Sequence, residues 1–283
     1  MSDRQQLAVV GIGDIARNVA EAIRYSTAYT LTGNVAPGAA IPSGTETVIC
    51  VAESDDQLTA LKAVADAGLP VVTLPLTTTD DAARAALGQG RVVQVSPLRG
   101  FVALEAFRAD VRNGAAGKPY GIFGAHRVRR GSADLFEKVG LPLLHFAFDL
   151  FAEPLTRVQT TRASLFGGEN DAWFVIARGA RDLLITLEFA ASLAPSAPAP
   201  EQILFEATGD AAVLRVEPTR QVLQVSGSGG GTADTNWWPD LAPVFVDAAV
   251  QTTGIHEPER ELAFLDFVAA VRQSAERGQP VSL

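Results

Sequence analysis

The segment Gly11-Ile12-Gly13-Asp14-Ile15-Ala16 limits what this chain can fold into more than any other. A short apolar run, Leu7-Ala8-Val9-Val10, stops at Gly11. Such a run suits a strand buried on both faces. Beyond the turn, Ile15, Val19, Ala22 and Ile23 recur at helical spacing. Strand, glycine turn and helix therefore follow in the order of a dinucleotide-binding βα unit. In a G-x-G-x-x-A turn the first glycine permits the tight bend and the second lets backbone approach a pyrophosphate. The alanine lets helix and strand pack closely. The helix start then offers free N–H groups and the positive end of its dipole. The whole segment, Gly11 to Ala16, is the candidate cofactor site.

Further strands are expected at Tyr29 to Val35, Thr47 to Ala52, Val71 to Leu74 and Arg91 to Val95. A helix is expected at Leu58 to Ala67, and another follows Thr79, with Asp80 and Asp81 at its positive end. The Pro/Gly/Ala-rich stretch from Pro37 to Glu46 leaves the second crossover without a full helix. Alternating strands and helices imply a parallel, doubly wound sheet. After Ser96-Pro97 the pattern changes. A helix marked by Phe101, Leu104, Phe107 and Val111 precedes strands from Tyr120 to Val225, which predicts a largely antiparallel sheet. Helices are expected at Leu141 to Phe151 and Glu257 to Arg277, and loops at Ser192 to Pro200 and Ser226 to Thr232. The expected fold class is α/β: a Rossmann domain over residues 1–97 and an α+β substrate and oligomerisation domain over 98–283.

Apolar residues at 47% and charged residues at 19% supply enough mass for two cores. The net charge of -9 disfavours nucleic acid as a partner. The one cysteine, Cys50, cannot form an intrachain disulfide, which fits a reducing compartment. Met1 to Gln6 is polar, and the longest apolar-rich stretch, Gly140 to Ala152, is too short to span a bilayer. A cytoplasmic protein without membrane partners is expected, and no metal site is predicted.

The glycine turn, the strand series and Gly114-Ala115-Ala116-Gly117-Lys118-Pro119 together resemble the Gfo/Idh/MocA family, the glucose–fructose oxidoreductases and inositol dehydrogenases. The segment Leu262 to Arg272 also resembles that family's late helix. The resemblance implies NAD or NADP as cofactor, hydride transfer to or from a small polar or cyclic substrate, and homodimers or homotetramers formed through the open face of the C-terminal sheet. Two departures stand out. The family carries Glu-Lys-Pro after its fourth strand, whereas this chain reads Thr73-Leu74-Pro75, with Leu74 in the lysine's place. The family also carries His-x-x-Asp in the helix near Leu141 to Phe151. Matching backwards from Glu153-Pro154 puts Pro142 and His145 at those positions, while matching His145 to the histidine leaves Asp149 one residue late.

His145 and Asp149 are the candidate catalytic pair; a buried, hydrogen-bonded core residue is the alternative for His145, which sits in the apolar run Leu143 to Phe148. They lie four residues apart, so both can share one helical face. Histidine's reference pKa of about 6.5 suits proton transfer during hydride reduction. Asp149 can orient the imidazole or pair with a neighbouring base. Arg127 and Arg129 share one strand face, and His126, Val128 and Arg130 the other. Arg99, Arg127 and Arg129 are candidates to hold an anionic substrate group; pairing with acids at a solvated sheet edge is the alternative. Lys118 reads as a surface residue, His256 as a helix cap, and Trp237 and Trp238 as a lid, a dimer contact or core. No acid or arginine stands in Gly33-Asn34-Val35-Ala36-Pro37, where the ribose contact is expected, so NAD and NADP stay equally open. The alternative to an enzyme is a catalytically degenerate regulatory protein of the same fold that binds a nucleotide or metabolite.

Overall fold

A computed structural model describes residues 4–52, 55–79, 81–89, 92–132, 134–218, 222–226, 240–251 and 258–283. The expectations for Asp80, Arg91, Trp237, Trp238, His256 and residues 227–232 lie outside them. Element order is β1 (Gln5–Val10), α1 (Asp14–Tyr25), β2 (Tyr29–Val35), β3 (Thr47–Cys50), α2 (Asp55–Asp66), β4 (Val71–Thr73), α3 (Asp81–Gln89), β5 (Val92–Gln94), α4 (Val102–Arg112) and β6 (Pro119–Arg129). There follow α5 (Leu141–Phe148), β7 (Leu155–Ala163), β8 (Ala172–Gly179), β9 (Leu184–Leu193), β10 (Glu201–Gly209), β11 (Val213–Glu217), β12 (Val222–Ser226), α6 (Leu241–Gln251), α7 (Pro258–Arg277) and β13 (Val281–Ser282). The chain divides into two compact units, Met1–Gly100 with Asp240–Leu265, and Phe101–Pro239 with Asp266–Leu283.

In the first unit five parallel strands lie in the order β2-β1-β3-β4-β5. The chain leaves β1 in one direction and returns past it to β3, so the strand order reverses between those two. Ligands bind such sheets outside the carboxyl ends of the strands at the reversal. Right-handed crossovers put connections of opposite direction on opposite faces. One face carries Leu7, Val9, Ile49, Val51 and Val72 against Ala16, Val19 and Ile23 of α1. The other carries Ala8, Val10, Val48, Cys50 and Val71 against Leu61 and Val64 of α2 and Leu87 of α3.

That topology gives the first face a single helix, too little for five strands. The rest of the cover comes from α6, whose Ala242, Phe245, Val246 and Ala249 are buried among the same strand residues. The sequence predicts no element there. Leu241 to Val250 is apolar almost all round, so it lacks the one-sided periodicity that marks a surface helix. The β2–β3 connection, as expected, contains no helix. It is pinned by Thr45, whose hydroxyl donates to the Pro42 carbonyl at 2.7 Å and lies 2.8 Å from the Thr32 hydroxyl.

The second unit is built on an eight-stranded sheet, β12-β11-β10-β6-β9-β8-β7-β13, antiparallel except where β6 runs beside β9. One face is a core: Phe205 of β10 meets Phe107 of α4 at 6.2 Å and Phe146 of α5 at 4.7 Å between ring centroids. Gly124 is required beneath Phe205, since a Cβ there would stand 2.7 Å from its ring. A five-residue π-helical turn, Phe136–Gly140, leads into α5, which stops at Phe148, three residues short of the expected end. The other face leaves Phe174, Ile176 and Leu184 at 39%, 44% and 42% exposure.

Phe245 is fully buried in the α6 cover. Truncation to alanine should therefore cost about 3–5 kcal/mol, read as a fall in the urea midpoint. A Phe245→Ala protein with unchanged stability would show that α6 does not close this face.

Candidate functional site

At the carboxyl ends of β1 and β3 the backbone is tied before any side chain acts. The Gly11 N–H donates to Val35 O at 3.0 Å and the Val51 N–H to Val10 O at 2.9 Å. A Cβ on Gly11 would stand 3.0 Å from the Val51 side chain and 3.2 Å from its carbonyl carbon, so only glycine fits where the two strands converge. Gly13 has φ 94° and open space where a Cβ would point. It caps α1 without any side-chain hydrogen bond, and the first helical bond runs from the Arg17 N–H to Gly13 O. The N–H groups of Asp14, Ile15 and Ala16 therefore lack intrahelical acceptors, as at any helix start. Ala16 is buried against the strands, while Ile12 is exposed. The Asp14 carboxylate accepts from Arg17 at 2.7 Å, a solvent-exposed pair that balances the acid at the turn. The residues present fit a pyrophosphate: bare donors at the helix start, and a glycine approach at Gly13 with open space where a side chain would stand.

The loop after β4 is tied down by two buried glutamines. The Gln57 amide donates to Leu74 O at 2.9 Å and Pro75 O at 3.3 Å, and its oxygen accepts from the Thr77 N–H at 3.2 Å. Gln94 accepts from the Leu76 N–H at 2.8 Å and donates to Glu261 at 2.8 Å. Leu74 packs against the core shared by α1 and α6. Arg99 stands half-buried in a 3₁₀ turn, Pro97–Gly100. Cys50 is buried in β3, and burial pushes its thiol pKa up.

In the second unit His145 lies on α5 at 7% exposure. Asp149 caps that helix, its N–H donating to His145 O at 3.0 Å. Its two carboxylate oxygens accept from Arg108 at 3.1 Å and Arg112 at 3.2 Å, so it takes the pairing role open to it in the sequence. Arg127 forms a bidentate pair with Glu188 at 2.7 and 3.0 Å, and Arg129 donates to Ala197 O at 2.8 Å. Lys118 is exposed; its N–H donates to Asp210 at 2.7 Å and orders the turn. The structure adds His126, 4% exposed, with Nε2 2.7 Å from Glu201 Oε2 and Nδ1 without a partner among the described residues. The sequence gives no sign of this pair, because its members lie 75 residues apart on β6 and β10. Among the described residues no three His, Cys, Asp or Glu side chains gather as a metal site. None of their helices is long and apolar enough to cross a membrane.

The loop between β7 and β8 is organised by Asp171, whose carboxylate accepts the N–H groups of Leu165, Phe166 and Gly168 at 2.6–2.8 Å. Burial alone would raise its pKa; the backbone donors outweigh burial and hold it below the usual carboxylate value.

No family model and no curated protein matches the chain. Solved structures do, along its whole length. A myo-inositol dehydrogenase from Corynebacterium glutamicum matches with TM-score 0.76 and 18% identity, over 99% of each chain. An oxidoreductase from Agrobacterium radiobacter, solved with NAD+, L-tartaric acid and magnesium, matches at 0.78 and 14%, over 99% of this chain and 98% of that one. A Desulfitobacterium hafniense protein described as an NADPH-dependent oxidoreductase matches at 0.78 and 14%, over 100% and 98%. The likeness shows the fold: this chain is folded as these solved structures are.

Because the Asp171 pKa is depressed in the folded state, its stabilisation is complete above the unfolded carboxyl value of about 3.9. It is lost as pH falls through the folded value. Asp171→Asn should therefore be less stable than wild type at neutral pH and lose less stability on acidification from about pH 5 to about pH 2. Parallel urea midpoints for the two proteins across that range would rule out this role.

Proposed function

We propose that this chain is an NAD(P)-dependent oxidoreductase that moves hydride between a nicotinamide and a small polar or cyclic substrate. The observation that carries the reading is the Gly11–Ala16 turn, with Gly13 open and the α1 start uncapped. The likeness to solved oxidoreductases, two of them described with NAD+ or as NADPH-dependent, supports it. Gly13 and the N–H groups of Asp14, Ile15 and Ala16 hold the pyrophosphate. The nicotinamide, when bound, supplies the hydride chemistry. The end of β2, Val35-Ala36-Pro37, offers the adenosine ribose neither an acid nor an arginine, so this reading covers both cofactors. His145 is proposed to exchange the substrate proton and Arg99 to attract an anionic substrate group; Arg127 and Arg129, the other two candidates, are held by Glu188 and the Ala197 carbonyl.

Calorimetric titration should show micromolar binding of NADH or NADPH to the nucleotide-free protein. Gly13→Val should weaken it at least about tenfold, with the circular dichroism spectrum retained. With a turned-over substrate, His145→Ala should lower kcat by about 10²-fold or more. No binding of either cofactor would refute the reading.

A second reading, a nucleotide-binding regulatory protein without turnover, draws on one observation. Leu74, in the lysine's place, packs partly buried against the core, and its loop is pinned by Gln57 and Gln94. Cofactor binding without hydride exchange across a broad substrate panel would favour it.

The open sheet face is proposed to join copies of this chain. Phe174 and Ile176 of β8 and Leu184 of β9 expose apolar surface there, beside the Arg127–Glu188 pair. Light scattering should give a dimer or tetramer, and Ile176→Arg should shift it toward monomer. A monomeric wild type at micromolar concentration would contradict this.

A further inference from the structure

A cavity of about 360 Å³ opens between the segment after β6 and the β7–β8 loop, within the second unit. Its apolar wall is formed by Phe136, Phe166 and Trp173. Trp173 is fixed there: it stacks on Phe189 at 5.5 Å, meets Phe136 at 5.1 Å, and donates its indole N–H to Asn170 O at 3.0 Å. Among the described residues three non-glycines have positive φ, and two of them, Asp134 at 55° and Asn170 at 50°, lie in this lining. Such strain persists only where surrounding structure imposes it, and it collects at ligand sites.

The charges of the lining are matched unevenly. Asp171 is satisfied by three backbone N–H groups, Glu137 lies 3.4 Å from Arg272, and Asp134 lies 3.4 Å from Lys138. Glu169 is exposed and screened by water. Arg130 is exposed as well, but a ring contact places it. Its guanidinium sits 5.6 Å from the Phe166 ring centroid, and only Nε is engaged, at 3.4 Å to Ser192 O. Its two Nη groups have no acceptor among the described residues. Of the three arginines in this run, Arg127 and Arg129 are committed to protein acceptors, and Arg130 lines the cavity.

We propose that this cavity binds a small cyclic carboxylate. The carboxylate is taken by the Nη fork of Arg130 and the ring lies on the Phe136–Phe166–Trp173 wall. A guanidinium fork matches a carboxylate with two parallel charge-assisted hydrogen bonds. The volume suits a single ring with its substituents. The proposal stands on the second unit alone, so cofactor titration of the glycine turn succeeds or fails independently of it.

The test uses three probes of one shape and different charge: benzoate, benzamide and benzylammonium. Each is titrated into the full-length ¹⁵N-labelled protein while the Trp173 indole N–H resonance, assigned through Trp173→Phe, is followed. Benzoate should shift that resonance saturably. Its affinity should exceed that of either other probe by about fivefold or more, and Arg130→Gln should reduce it by the same factor. Arg129→Gln should leave it unchanged. The proposal is overturned if benzoate gives no saturable shift up to about 50 mM, a ceiling weaker than any useful site. It is overturned equally if benzamide or benzylammonium binds within fivefold of benzoate, or if Arg130→Gln costs less than fivefold.

Discussion

The first unit depends on one steric fact: β1 and β3 converge at Gly11, where a Cβ would meet both the side chain and the backbone of Val51. Glycine at that point lets the strand turn sharply into α1. The turn puts the uncapped start of α1 beside the reversal of strand order, where doubly wound sheets bind ligands. Gly13 then contributes by what it lacks, leaving open space above the helix start. Ala16 contributes by small size, buried at 1% exposure between helix and strands. The cofactor reading and the packing of the sheet thus rest on the same six residues.

The elements that were legible in the sequence are those whose signal is local. The glycine turn announces itself because its three small residues each answer a steric need within one strand–turn–helix unit. The sheet strands are legible from apolar runs between turn residues, and the missing β2–β3 helix from the Pro/Gly content of Pro37 to Glu46. What escapes is whatever depends on the completed topology. Nothing in Leu241 to Val250 says that this helix covers a sheet made near the N-terminus. That need arises only from a single crossover on one face of five strands. The parallel pairing of β6 with β9 inside a mostly antiparallel sheet escapes for the same reason.

The side-chain chemistry follows the same division. Residue type nominates His145, Asp149 and the arginines, but partners decide what each can do, and the partners are distant in sequence. Asp149 is held by arginines 37 and 41 residues away, Arg127 by a glutamate 61 residues away, and Arg129 by a carbonyl 68 residues away. His126 gains its interest only beside Glu201. Leu74 shows the reverse. Its departure from the expected lysine is visible in the sequence, while its setting is structural: the side chain packs partly buried against the core, and two buried glutamines hold its loop.

The central claim is that the N–H groups of Gly13 to Ala16 bind a dinucleotide pyrophosphate. The most direct measurement is the backbone amide spectrum of the ²H,¹⁵N-labelled protein during titration with ADP-ribose, which carries the pyrophosphate without the nicotinamide. The account predicts that the largest shifts fall on Gly13, Asp14, Ile15 and Ala16. Saturating shifts confined to other residues, or none at all, would contradict it.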